Sequence, residues 1–255
     1  MFFGYSLWTV ALICLGVFLA GLVDAIGGGG GLISLPMYMM AGLPQHFALG
    51  TNKMSACLGT VASTVRYIKN GFVRWDLALV SIPLAMAGAW LGTKAQLLVP
   101  EDYLRYLLLA VLPLVAVVML RKKNLPETAG EISPVAQRLI VWLSCLVIGV
   151  YDGFYGPGTG TFLLLCFCYL GKMDLRTASG NMKVVNLSSN VGALLTSLAA
   201  GKVLVPIGLL AAVFSVAGQY LGAGLILKNG SKLVRPVLFV VLGMLCVKVL
   251  WEIFA

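Results

Sequence analysis

The sequence predicts an all-α polytopic membrane protein made of two inverted-topology repeats, each a broken helical hairpin followed by three transmembrane helices. Three observations predict it: long charge-free apolar runs, one set of motifs written twice, and basic residues gathered on one side of the resulting spans. Of the 255 residues, 60% are hydrophobic and 11% are charged. A soluble domain has about 45–50% apolar and about 25% charged residues. Residues 203–227 carry no charge, nor do residues 77–93, and before Lys53 the one charged side chain is Asp24. A spanning helix needs roughly 20 mostly apolar residues.

Residues 6–26 read as a first span. No basic segment precedes this run, so a cleaved signal is not expected. Five glycines at 27–31 then break the helix, within "VDAIGGGGGLISLP". Residues 32–42 form a short apolar piece of about 16 Å at 1.5 Å per residue, roughly half a hydrocarbon core. Helices are expected next at 48–68, 76–98 and 102–120. The second half offers 137–154, a break at "YGPGTG", a short piece at 161–170, and helices at 178–199, 203–227 and 233–253.

The halves match motif by motif. "GLVDAIGGGGG" resembles "GVYDGFYGPGTG", with Asp24 opposite Asp152 at an offset of 128. "ALGTNK" resembles "ASGNMK", placing Lys53 opposite Lys183 at an offset of 130. Gly71 and Gly201, "AGAWLG" at 87–92 and "AGQYLG" at 217–222, and Arg105 and Arg235 keep that offset of 130. The units are therefore a first repeat at 1–120, a cytoplasmic linker at 121–136 and a second repeat at 137–255.

Two topologies fit these pieces. A first helix and short piece forming one broken span would give four crossings per half and parallel halves. A hairpin returning to its own side would give an odd number of crossings and inverted halves. The positive-inside rule decides. With the motif lysines Lys53 and Lys183 set aside, the inverted arrangement puts 12 bases in the cytoplasm and four outside. The parallel one divides them nine to seven. Both termini are then external. The charge rule leaves open whether each hairpin is re-entrant or fully crossing. A net charge of +9 placed at the ends of apolar runs is a topology signal, so no nucleic-acid partner is expected. The six cysteines lie in apolar runs and read as small buried apolar residues, including the Cys166/Cys168 pair.

Irregular backbone inside a membrane is tolerated where protein buries it or a wet cavity receives it. Glycines let successive N–H groups form a concave nest, and the next helix starts there with its positive dipole end. Both attract an anion. Gly28, Gly29, Gly30 and Gly31, and Gly158, Thr159 and Gly160, are the candidates. The alternative is that glycines serve close helix packing. Lys53 and Lys183 follow each break, accompanied by Thr51 and Asn52 and by Asn181. Such a lysine faces a cavity or a partner, or else snorkels to the interface. Lys183, Asn186 and Asn190 share one helical face, whereas the first copy has Ala56 and Thr60 at the last two positions, so an asymmetric site is expected. Asp24 and Asp152 have three open roles: capping loop amides, pairing with a lysine, or carrying a proton. His46 reads as an interfacial loop residue with no evident partner.

Through "GLVDAIGGGGGLISLP", "ALGTNK", "YGPGTGTF" and "NMKVVNLSSN" the sequence resembles the TauE/SafE family of sulfite-exporter-like membrane proteins. The resemblance implies a bacterial inner-membrane secondary transporter, an exporter of a small sulfur-containing anion such as sulfite or an organosulfonate such as sulfoacetate. It implies alternating access with the first half rocking against the second, and it leaves the substrate, the coupling ion and homo-oligomerisation open. The partners expected are the small anion and the lipid bilayer. No cofactor and no metal are expected. One alternative is a proton or cation carrier working through Asp24 and Asp152. The other is a membrane-embedded enzyme, against which stand a single His and no HExxH or Ser/His/Asp set. No P-loop pattern occurs, so ATP drive within the chain is not expected.

An accessibility label placed within 121–134 is expected to report the cytoplasm, and labels at residue 2 and after residue 253 the exterior. A label at residue 2 found inside, together with an inside linker, would overturn the inverted topology.

Overall fold

A computed structural model describes residues 5–100, 103, 126–229 and 236. The expected helices at 102–120 and 233–253, the termini and most of the linker lie outside the described residues. The chain forms α1 (Leu7–Gly27), α2 (Gly31–Met40), α3 (Gln45–Lys69) and α4 (Trp75–Leu98). After the linker come α5 (Pro134–Phe154), α6 (Thr159–Leu165) with a π-helical turn at Cys166–Leu170, α7 (Leu175–Ala199) and α8 (Val205–Asn229). The expected helices on these residues all form, within a few residues at each end. The sequence duplication extends to the element boundaries: α7 begins and ends 130 residues after α3, and α8 begins 130 residues after α4.

Local chemistry sets several starts. Ser6 accepts from Thr9 N at 3.1 Å ahead of α1. Ser133 accepts from Ala136 N, with Pro134 in the first turn of α5, where a missing N–H costs nothing. Asp174 accepts from the amides of Arg176 and Thr177 ahead of α7.

Helices α1, α4, α5 and residues 205–228 of α8 are long and apolar enough to cross a membrane. With 25 residues each, α3 and α7 span about 37 Å and are long enough as well. They are too polar to face lipid along their length, and their neighbours shield them. Helix α3 packs on α1, α2, α7 and α8, while α7 packs on α3, α4, α5 and α6. Several of their buried hydroxyls and amides bond to carbonyls one turn back in the same helix, as Ser188 does to Val184 O at 2.8 Å and Asn181 to Thr177 O at 2.8 Å.

Helix α2 folds back along α1, with Gly16 against Met37 and Gly30 against Ala20 and Asp24. The first broken element is thus a hairpin and not one interrupted span. In the second, the Tyr151 ring meets Phe162 edge-on at 5.4 Å across the turn.

Glycine contacts fix the register of the long helices. Gly218 sits against the backbone of Phe18 and Leu22, and Gly222 against Leu22 and Ala25, so α1 and α8 run parallel. Gly149 sits against Ala85 and Gly153 against Ala89, so α4 and α5 run parallel too. Likewise α3 runs with α8 (Gly50 at Lys202, Gly59 at Ser215), and α7 with α4 (Gly180 at Phe72, Gly192 at Met86). Against these, α3 and α7 are antiparallel, since Lys53 meets Asn190 and Thr64 meets Lys183 O. Helices α1, α3 and α8 therefore point one way, and α4, α5 and α7 the other. The most extensive contacts, α4 with α5 and α1 with α8, join helices from different halves of the sequence. The halves are therefore interlocked.

These glycines, including those of "AGAWLG" and "AGQYLG", serve close backbone approach. A Cβ on Gly153 would overlap Ala89 O. Gly153→Leu is expected to destabilise the protein by about 1–3 kcal/mol or more through overpacking, read as a lowered midpoint of thermal unfolding in detergent. An unchanged midpoint would mean the α4–α5 seam is not tightly packed.

Candidate functional site

Two glycine turns meet inside the protein. In the first, Gly28 (φ 75°) and Gly29 (φ 97°) take left-handed backbone that side chains disfavour, and the Gly28 amide closes α1 on Asp24 O at 2.9 Å. In the second, Gly158 (φ 88°) plays that part ahead of α6. The turns touch: Thr161 Oγ1 donates to Gly27 O at 2.8 Å, and a Cβ on Gly28 would run into Gly160 and Thr161 N. The amides of Gly31 and Gly160 have no acceptor among the described residues.

Around these turns the buried charges pair across the halves. Lys183 Nζ, on α7, lies 2.7 Å from Asp24 Oδ2, on α1. Lys53 Nζ, on α3, lies 2.7 Å from Asp152 Oδ2, on α5. Each aspartate is thus held by the lysine of the other half. The two pairs differ in quality. Asp24 accepts from Lys183 and from Gln219 Nε2, both at 2.7 Å, and from Gly30 N at 3.2 Å. Lys183 also donates to Asp24 O at 2.6 Å, and its side chain is 0% exposed. Asp152 Oδ2, by contrast, receives no directed hydrogen bond, and its contact with Lys53 is purely an ion pair. Lys53 directs its hydrogen bond to Asn190 Oδ1 at 3.1 Å.

A cavity of about 40 Å³ lies among these groups. One water needs about 10–15 Å³ on this scale, so there is room for a few waters or one small ion. Asp24, Asp152, Lys53, Asn52, Asn186 and Asn190 line it, with Gly29, Gly30 and Gly31 from the first turn and Gly158, Thr159 and Gly160 from the second.

Four of the residues singled out in the sequence lie elsewhere. Gly28 packs between the turns, and Lys183 is turned from the cavity onto Asp24. Thr51 accepts from Leu204 N at 3.0 Å, and Asn181 bonds its own helix. The single helical face expected of Lys183, Asn186 and Asn190 divides: the asparagines reach the cavity and the lysine does not. His46 is not a loop residue; it lies in the first turn of α3, and its Nδ1 contacts Gln96 Nε2 on α4. Cys168 is buried and Cys166 half-buried, both as free thiols.

Sequence reasoning missed Ser34, Ser55, Ser215 and Gln219, which also line the cavity. Ser34 Oγ donates to Asn52 Oδ1 at 2.6 Å. Gln219 had a signal: it is the polar residue inside "AGQYLG", where the first repeat has Ala89. Among the described residues no cluster of three or more His, Cys, Asp or Glu side chains forms that could hold a metal ion. What the arrangement offers is two neutral ion pairs, asparagine and serine dipoles and free backbone N–H groups around a space for one small polar species.

Comparison with known proteins places the chain. The family model described as "Sulfite exporter TauE/SafE" matches residues 13–249. A "Probable membrane transporter protein ORF9" of Sinorhizobium is 33% identical over 244 residues, covering 94% of this chain and 92% of the relative. A "Probable membrane transporter protein YfcA" of Escherichia coli K12 is 33% identical over 256 residues, covering 97% and 93%. A "Probable membrane transporter protein" of Haemophilus influenzae is 32% identical over 249 residues, covering 94% of each. No solved structure matches significantly. The chain belongs to the TauE/SafE family and is a multi-pass membrane protein with a transporter's role.

Removing one partner of a buried pair leaves an uncompensated charge, at a cost of about 3–5 kcal/mol. Lys183→Ala is therefore expected to lose about that much stability, and Lys183→Met combined with Asp24→Asn much less, by thermal unfolding in detergent. Equal losses in the two variants would show that the pair is not what makes Lys183 necessary.

Proposed function

We propose that this TauE/SafE protein is a secondary carrier that moves one small sulfur-containing anion, such as sulfite, by alternating access between two inverted repeats. The observation that carries the reading is the cavity lined by both glycine turns and Lys53. Backbone N–H groups, an ammonium and asparagine amides are donors suited to an oxyanion.

Several features support the details. The antiparallel course of α3 and α7, and the opposite directions of α1 and α5, are what inverted repeats require. Broken helices meeting at a pseudo-two-fold axis near the midplane are a known way to build a carrier site. With the halves interlocked, the moving bodies would combine helices of both: α1, α2 and α8 against α4, α5 and α6, with α3 and α7 between them. The cavity volume favours an inorganic oxyanion such as sulfite over the larger sulfoacetate. Location in a bacterial inner membrane, external termini and export as the direction rest on the family and the charge count. Asp24 and Asp152 are the candidates for proton coupling.

A charge-assisted hydrogen bond contributes about 1.5–3 kcal/mol. Lys53→Ala is expected to weaken anion binding roughly tenfold to a hundredfold. The measurement is a titration of purified protein with sulfite, sulfate, thiosulfate, taurine and sulfoacetate, with folding verified by thermal unfolding. Wild-type affinity in a folded Lys53→Ala variant would remove the lysine from the site. Proton or cation flux in liposomes without any anion requirement would favour the aspartates as the working groups of a cation carrier.

A further inference from the structure

We propose that Asp152 and the substrate anion are alternative partners of Lys53, so that a singly charged anion enters the cavity together with one proton on Asp152. This rests on the anion-carrier reading and names its coupling.

Charge balance is the first argument. Lys53, Asp152 and Asp24 line the cavity and Lys183 lies behind Asp24, so the two pairs carry a net charge of zero. An added anion would leave one negative charge unbalanced where water is scarce, which costs several kcal/mol. If Asp152 takes a proton from water on the open side, its carboxylate becomes a neutral acid. Lys53 remains an ammonium and turns to the anion. The four side chains, the proton and a monoanion again sum to zero. A dianion would leave an excess charge, so the substrate class is the monoanion: hydrogen sulfite or a sulfonate.

Geometry selects Asp152 over Asp24. Asp24 is already held by three hydrogen bonds, from Lys183, Gln219 and Gly30, and its lysine is turned from the cavity. Asp152 Oδ2 accepts no hydrogen bond and meets Lys53 Nζ at 2.7 Å in an ion pair, and Lys53 is the lysine that borders the cavity. Lys53 need not travel far, because it already donates to Asn190 Oδ1 and borders the cavity. The other groups around Asp152 do not substitute for it. From α5 the Tyr151 hydroxyl donates to Pro157 O, and Tyr155 follows α5 in the turn. From α4 the seam presents Ala85 and Ala89, with Thr93 Oγ1 on Gly153 O. From α6 come Thr159 and Thr161, from α7 the neutral Asn190 and the engaged Lys183, and from α1 Asp24.

The test is proton uptake on binding. Wild-type protein in detergent, weakly buffered between pH 7 and 8, is titrated with methanesulfonate, a monoanion throughout this range, while an indicator dye reports pH; sulfite, which itself exchanges a proton in this range, is tested for binding alone. The expected result is about one proton per anion bound, with affinity falling about tenfold per pH unit across this range. Asp152→Asn should bind with no proton uptake and no pH dependence. At pH 8 it should bind at least about tenfold more tightly than wild type, because the competitor for Lys53 is gone. Asp152→Glu should retain the uptake. Anion binding by wild type without proton uptake would overturn this proposal and leave the carrier reading standing; so would weaker binding by a folded Asp152→Asn variant. Failure of wild type to bind either anion at any pH would overturn both. If Asp152→Asn does not fold, the wild-type proton count decides alone.

Discussion

The structure depends on two buried ion pairs, each drawn between halves of the chain. A lysine or aspartate alone in an apolar interior is prohibitively costly, so each must find an opposite charge. Here the partner is never in the same half: Asp24 takes Lys183 and Asp152 takes Lys53. The pairing ties α1 to α7 and α5 to α3 through single side chains, close to where the two glycine turns touch. With the charges matched this way, the halves interlock, and the cavity belongs to neither.

Glycine does two jobs in the fold, and the structure separates them. Along the helices, Gly88, Gly149, Gly153, Gly218 and Gly222 let backbones touch, which matters in lipid because close packing replaces the hydrophobic driving force. In the turns, Gly28 and Gly158 take backbone angles that reverse the chain within the protein. Gly31 and Gly160, whose amides have no acceptor among the described residues, line the cavity. Both uses follow from the same physical fact, the missing Cβ, applied once to distance and once to dihedral angle.

The two pairs are similar in sequence and unequal in environment. Gln219 and Gly30 tie down the Asp24 carboxylate, whereas nothing equivalent holds Asp152. One half of a duplicated site can thus be structural while its copy works. The divergence lies in a few residues: Gln219 against Ala89, and Asn186 and Asn190 against Ala56 and Thr60.

The membrane class, the helices on the described residues and the duplication were legible in the sequence. Charge-free apolar runs and the spacing of a repeated motif are local, one-dimensional properties that burial in lipid imposes directly. The glycine turns and buried lysines were legible as candidates for the same reason, since each violates the apolar pattern around it. Which lysine faces the cavity was not. Lys183 and Lys53 occupy equivalent places in matching motifs, and only the packing of α8 brings Gln219 onto Asp24, while Asp152 Oδ2 is left with Lys53. Nor could the sequence reveal that each acid pairs with the other half's base, because partners 159 residues apart meet only through the register of helices. The sequence determined that four charges stand beside breaks in apolar runs; the tertiary structure decided that they pair and with which partner, because electrostatic attraction acts through distance in space, and the helix seams set that distance.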